Sequence, residues 1–124
     1  MDLSNIGITQ FATKTLGIGG VIKKQPEDFI VQEISSSGSI ASLDPNPSLL
    51  GKKSEYTEFT LVKKDWNQAI LLKKISDKIG VSKMRLHFAG TKDKFALTAQ
   101  RISAWNIPSE QLSKISIKDC KIGD

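Results

Sequence analysis

The sequence changes period once between Tyr56 and Gly80, and that change most constrains what the chain can become. YTEFTLVKK alternates, with Thr57, Phe59 and Leu61 on one side and Tyr56, Glu58 and Thr60 on the other, as a half-buried strand does. At Asp65 the period lengthens. DWNQAILLKKISDKIG places Asp65 at an N-cap position with Gln68 three residues later, sets Leu72, Ile75 and Ile79 on one face, and stops at Gly80. A strand leading into an amphipathic helix needs a sheet for that helix to cover. With 124 residues and 39% hydrophobic content, the chain can supply one such core, so residues 1–124 are expected to form one domain or part of one.

The rest of the chain extends the pattern. In VIKKQPEDFIVQEIS, Pro26 and the acidic pair after it form a turn; Phe29, Val31 and Glu33 then alternate with Ile30, Gln32 and Ile34, a strand expected to be buried on at least one face. Residues 35–55 are rich in Ser, Gly and Pro and read as a loop, mobile in part. MRLHFAG and FALTAQRISAW are two further extended segments joined by a short link. PSEQLSKIS reads as a short helix capped by Ser109, and SIKDCKIGD begins another extended piece that is cut short. The expected fold class is α+β, with a mainly antiparallel sheet and flanking helices.

Composition narrows the chemistry. Cys120 and His87 are the only residues of their types, so neither a disulfide framework nor a Cys/His zinc site can be assembled, and His87 lies inside an apolar alternation that is a poor setting for a hydrolytic triad. Neither a structural metal nor histidine-based hydrolysis is expected. No apolar run is long enough to span a bilayer, and MDLSNIGITQ lacks the basic start and apolar stretch of a signal peptide, so a soluble, cytoplasmic protein is expected. The net charge is +5 and the pI about 9.4. From Lys63 to Lys94 there are nine Lys or Arg against three Asp, which concentrates the positive charge in one segment. Such a segment suits a polyanion, and the lack of a long helix with a bulky apolar face favours nucleic acid over a membrane surface. A solvated lysine face accounts for the charge equally well.

Within that segment, FAGTKDKFALTAQ raises a specific question. Gly90 ends a strand and permits a turn, so Asp93 is presented on a connecting loop at the sheet margin. The stretch is neither a phosphate-binding loop nor a dinucleotide fingerprint. A lone aspartate attacks carbon or accepts a proton only when ionised, and a neighbouring cation favours that form. Lys92 and Lys94 are adjacent candidates for the cation; an Asx turn is the alternative reading of Asp93.

Two segments together resemble the TruD family of tRNA pseudouridine synthases. Residues 19–34, GGVIKKQPEDFIVQEI, resemble its Lys-x-x-Pro-Glu-Asp-Phe-x-Val-x-Glu element, and residues 89–100, AGTKDKFALTAQ, resemble its Gly-x-Lys-Asp-Lys/Arg-x-Ala-x-Thr-x-Gln element. The resemblance, to the archaeal branch, is weakest at 35–55, and Phe95 stands where that branch often has a basic residue. It implies Asp93 as the catalytic aspartate, Lys23 as its charge partner, and Phe29, Gly90 and Thr91 in the active-site cleft. It also implies the mixed sheet of a pseudouridine synthase, and tRNA as partner, for which the basic segment offers Lys73, Lys74, Lys83, Arg85, Lys92 and Lys94 as candidate RNA contacts. The implied reaction breaks the C1′–N1 bond of a uridine, turns the base and rejoins it through C5, without metal or cofactor; uridine 13 is the implied target.

Members of that family are several-fold longer, with further catalytic-domain strands, a Gly-Asn-x-Phe element and an inserted domain. The chain is therefore expected to be an N-terminal portion of such an enzyme, inactive alone, with sheet edges and apolar surface that either self-associate or are covered by the missing C-terminal portion. The alternative is a non-catalytic RNA-binding or assembly module that keeps the aspartate without a complete pocket.

Overall fold

The chain is organised around one nine-residue strand, Leu97–Trp105, which touches three others. In the computed structural model, which describes residues 3–51 and 55–124, the elements in chain order are β1 (Ile30–Gln32), β2 (Tyr56–Lys64), α1 (Gln68–Ile79), β3 (Leu86–His87), β4 (Leu97–Trp105), α2 (Ser109–Ser113) and β5 (Cys120–Gly123). β2 and β4 pair antiparallel along their whole lengths, from Tyr56 opposite Trp105 to Lys64 opposite Leu97. β5 adds antiparallel to the outer edge of β2. Two short strands share the other edge of β4: β3 antiparallel at Ser103–Ala104, and β1 parallel at Leu97–Ala99. The sheet is mainly antiparallel, as the order of elements leads one to expect, and the parallel pairing of β1 with β4 makes it mixed, as the family resemblance implies.

One face of the sheet holds the core. Phe59 and Leu61 of β2 and Ile102 and Ala104 of β4 meet Leu71, Leu72 and Ile75 of α1 and Leu112 of α2. Each of the three α1 side chains is essentially fully buried, contributing about 2 kcal/mol apiece by area. The opposite face carries a smaller cluster, in which Ala41 and Leu43 cover Val62, Leu97 and Ala99. No helix among the described residues is long and apolar enough to cross a membrane.

Three expectations need correction. The N-cap of α1 is Asn67, whose Oδ1 accepts from the Ile70 amide at 3.2 Å; Asp65 instead adopts the left-handed backbone at φ 52° and turns the chain out of β2. Gly80 does end the helix, at φ 79°. The second helix begins at Ser109, but its N-cap is Pro108, so the Ser109 hydroxyl is not the cap. β1 is an edge strand: Ile30 within it and Ile34 just beyond it, on one face of the alternation, are 51% and 65% exposed, and Val31 and Glu33 on the other face are only part-buried, so neither face is fully buried as the alternation suggested.

The loop at 35–55 is tied down along much of its described length, while residues 52–54 lie outside the described residues. Ile34 bridges Ile40, and the Ala41 amide donates to the Glu33 carbonyl at 2.8 Å. Asn46 exchanges backbone hydrogen bonds with Asp124 at 3.0 and 3.1 Å, laying this loop against the end of β5.

Candidate active site

The parallel register of β1 and β4 brings together two stretches seventy positions apart in sequence. Phe29, just before β1, accepts the Leu97 amide at its carbonyl (3.0 Å), which fixes the residues preceding β1 beside the loop preceding β4. Upstream, Pro26–Asp28 forms a 3-10 turn whose Gln25 amide donates to Asp28 Oδ2 at 3.0 Å. Glu27 of that turn pairs with Lys64 at the end of β2; the contact holds the Glu27 carboxyl below its ordinary range and raises the Lys64 ammonium. Lys23 enters this arrangement with a left-handed backbone at φ 56°, a conformation that costs a non-glycine residue about 1 kcal/mol or more. Its Nζ lies 3.7 Å from the centre of the Phe29 ring and 3.9 Å from Asp93 Oδ2. The family resemblance implied Lys23 as the charge partner of Asp93 with Phe29 nearby, and in the structure Lys23 approaches both.

The Asp93 side chain is 58% exposed and that of Lys23 31%, so the pair stands at an open surface rather than withdrawn from water. Gly90 makes the expected turn at φ 74°, with Thr91 exposed beside it.

The loop is held through its main chain, by residues to which sequence reasoning gave no such role. Gln100 Nε2 donates to the carbonyls of Ala89 (3.0 Å) and Gly90 (2.9 Å). Gln100 Oε1 accepts from Gln68 Nε2 at 2.7 Å, and Gln68 Oε1 accepts the Lys92 amide at 2.8 Å. Both glutamines are buried, where an unpaired amide would be costly, so each fixes the other. Lys63 completes the grip, its Nζ donating to the Asp93 carbonyl at 2.5 Å. In the sequence Gln68 stands at a capping-box position and Lys63 is one charge among many; the one signal of its role is that Lys63 continues the inward phase of Phe59 and Leu61.

The candidate RNA contacts separate into two groups. Lys92 and Lys94 flank Asp93 on the same loop. Lys73 pairs with Asp77 on α1, Lys74 stands 5.6 Å over the Trp66 ring, and Arg85 stands 5.4 Å over the Trp105 ring, with Lys83 exposed in the same 3-10 turn as Arg85. Phe95, at the position of the family departure, is 41% exposed. His87 borders a separate groove with Glu33, Glu58 and Arg101.

A sequence model described as tRNA pseudouridine synthase D (TruD) matches residues 5–124. The chain belongs to the TruD family. Among curated TruD proteins, it is 38% identical over 109 residues to a probable tRNA pseudouridine synthase D 1 of Methanocaldococcus jannaschii, covering 86% of this chain and 28% of that one. It is 35% identical over 117 residues to a probable tRNA pseudouridine synthase D of Archaeoglobus fulgidus, covering 94% and 26%. The crystal structure of a putative TruD from Methanosarcina mazei superposes with a TM-score of 0.72 at 32% identity, over 96% of this chain and 25% of the other. The mixed sheet is thus a TruD sheet, and the chain spans roughly a quarter to a third of the length of the TruD proteins it matches.

Proposed function

We propose that this chain is the N-terminal portion of a tRNA pseudouridine synthase catalytic domain, with Asp93 as its catalytic residue and Lys23 as the cation beside it. The observation that carries the reading is the meeting of Lys23, Phe29 and Asp93 across seventy positions. The substrate is a uridine in tRNA, with uridine 13 the favoured position. The Asp93 carboxylate acts on the ribose, either by attacking C1′ and being displaced when C5 bonds there, or by removing a C2′ proton that it returns as C5 bonds to C1′. The C1′–N1 bond breaks, the base turns, C5 bonds to C1′, and the C5 proton is lost while N1 gains one. No step requires a metal or an organic cofactor. To reach Asp93 the base leaves its stack, at a cost of roughly a few kcal/mol that phosphate contacts and stacking offset. Phe29 and Thr91 border the cleft, and Lys92 and Lys94 are the lysines best placed for phosphates near it.

The exposure of Asp93 supports a second statement, that these 124 residues alone are inactive and act at most as an RNA-binding or assembly module. The large apolar side chains exposed along residues 6–22, Leu16 and Ile18 almost completely, fit a surface covered by further chain of the kind the longer relatives carry, or by self-association.

The test is to complete the chain with the C-terminal portion of the Methanosarcina mazei relative, treat unmodified tRNA and map pseudouridine chemically. Conversion is expected without added metal. Asp93→Asn, the same shape without a nucleophile or base, should abolish it, and Lys23→Met should lower the rate at least about tenfold. Parental turnover by Asp93→Asn would remove Asp93 from the mechanism.

A further inference from the structure

Lys63 is the least expected residue near the site. A lysine at 2% exposure on the helix-facing side of a central strand costs more than an apolar side chain of the same length, and replacing such a buried charge with a hydrophobic residue is often neutral or stabilising. Burial pushes its ammonium pKa down; the Asp93 charge pulls it partly back, and Lys92 adds to the lowering. Its Nζ donates to the Asp93 carbonyl, the hydrogen bond of the loop nearest the carboxylate-bearing carbon. The other grips act earlier, at Ala89, Gly90 and Lys92. The carboxylate itself is weakly held, since it is mostly exposed and its ion pair with Lys23 spans 3.9 Å. What the structure holds firmly is therefore the main chain from which the carboxylate projects.

We propose that Lys63 is a positioning residue for Asp93, anchoring its carbonyl from the buried side of the sheet so that the carboxylate keeps one orientation toward the cleft. The proposal rests on reading Asp93 as catalytic. Lys63 touches no substrate and acts through the loop. A misplacement of about 1 Å at a reacting group can cost on the order of a hundredfold in rate, so one backbone hydrogen bond in this position matters more than its share of stability.

Two measurements on the completed enzyme test it, with Lys63→Met, Lys63→Gln and Asp93→Asn compared with the parent. In Lys63→Met, amide hydrogen exchange at Lys92 and Ala96, the amides of the loop that have hydrogen-bond acceptors, should accelerate at least about tenfold while α1 keeps its parental rate. Its kcat should fall at least about tenfold with KM for tRNA within about twofold. Lys63→Gln, which keeps a donor on a shorter arm, should lie between Lys63→Met and the parent in both. Parental loop exchange in Lys63→Met overturns the proposal, as does parental kcat while Asp93→Asn is inactive. So does acceleration that spreads through α1 in both Lys63 variants, because Lys63 would then support the whole fold. If Asp93→Asn remains active, the reading of Asp93 fails, and loop exchange alone still decides whether Lys63 holds that segment.

Discussion

Lys63 also makes the chain's stability depend on pH in a direction opposite to that of a surface lysine pair. Its folded pKa lies below the ordinary 10.5 because burial disfavours the charged form. Between the folded value and 10.5 the unfolded chain binds more protons, so stability rises with pH across that window and is lost as pH falls through the folded pKa. Measured by denaturant titration, the parent should gain stability relative to Lys63→Met as pH is raised toward 10.5. A difference that stays flat or shrinks would show that Lys63 is not buried as described. Cys120 offers an independent check on burial. Its thiol is pushed up to about 12 by burial alone, so at pH 8 it is protonated and a poor nucleophile. Iodoacetamide should leave it unmodified in the folded chain and label it once denaturant is added.

Among the elements, α1 gives the sharpest test of the corrected boundary. Asn67→Ala removes the side chain that caps the Ile70 amide and should cost about 1 kcal/mol in thermal or denaturant unfolding, whereas Asp65→Ala should not reproduce a cap loss. At the far edge of the sheet, a Cβ on Gly123 would meet the backbone of Pro45 and Asn46 at 2.6–2.8 Å. Gly123→Ala should therefore cost about 1–3 kcal/mol and release the Asn46–Asp124 pairing, visible as faster amide exchange at those two residues. The elements themselves were legible because period and punctuation agreed: β2 alternates, α1 keeps one apolar face, and Gly80 ends it. The cap is ambiguous in the sequence because Asp65 and Asn67 are both cap formers two residues apart, and only the turn out of β2 decides between them. The meeting of Lys23 with Asp93 became readable through motif resemblance, since no local pattern encodes a parallel pairing of β1 with β4. The grip of Gln68, Gln100 and Lys63 on the loop was not legible, because it joins side chains to backbone atoms across three elements.

For the whole molecule, the proposed RNA contacts are lysines and arginine meeting phosphates, so tRNA affinity should weaken at least about tenfold between 50 and 200 mM salt, with slight sequence preference. Filter binding at the two concentrations checks this, and salt-independent binding would take the basic segment out of the interface. The arrangement of strands around β4 also has a consequence in time. β1, β2 and β3 all precede β4 in the chain and all pair with it, so during synthesis each waits for a partner that has not yet been made. Local order in α1 can form early, whereas the long-range pairings carry the loop-closure cost that slows folding. The cleft should appear only after Trp105 has left the ribosome, nearly at once and from both sides. Nascent chains stalled before that point should be cut readily by protease throughout β1 and β2, and chains stalled beyond it should be protected in both.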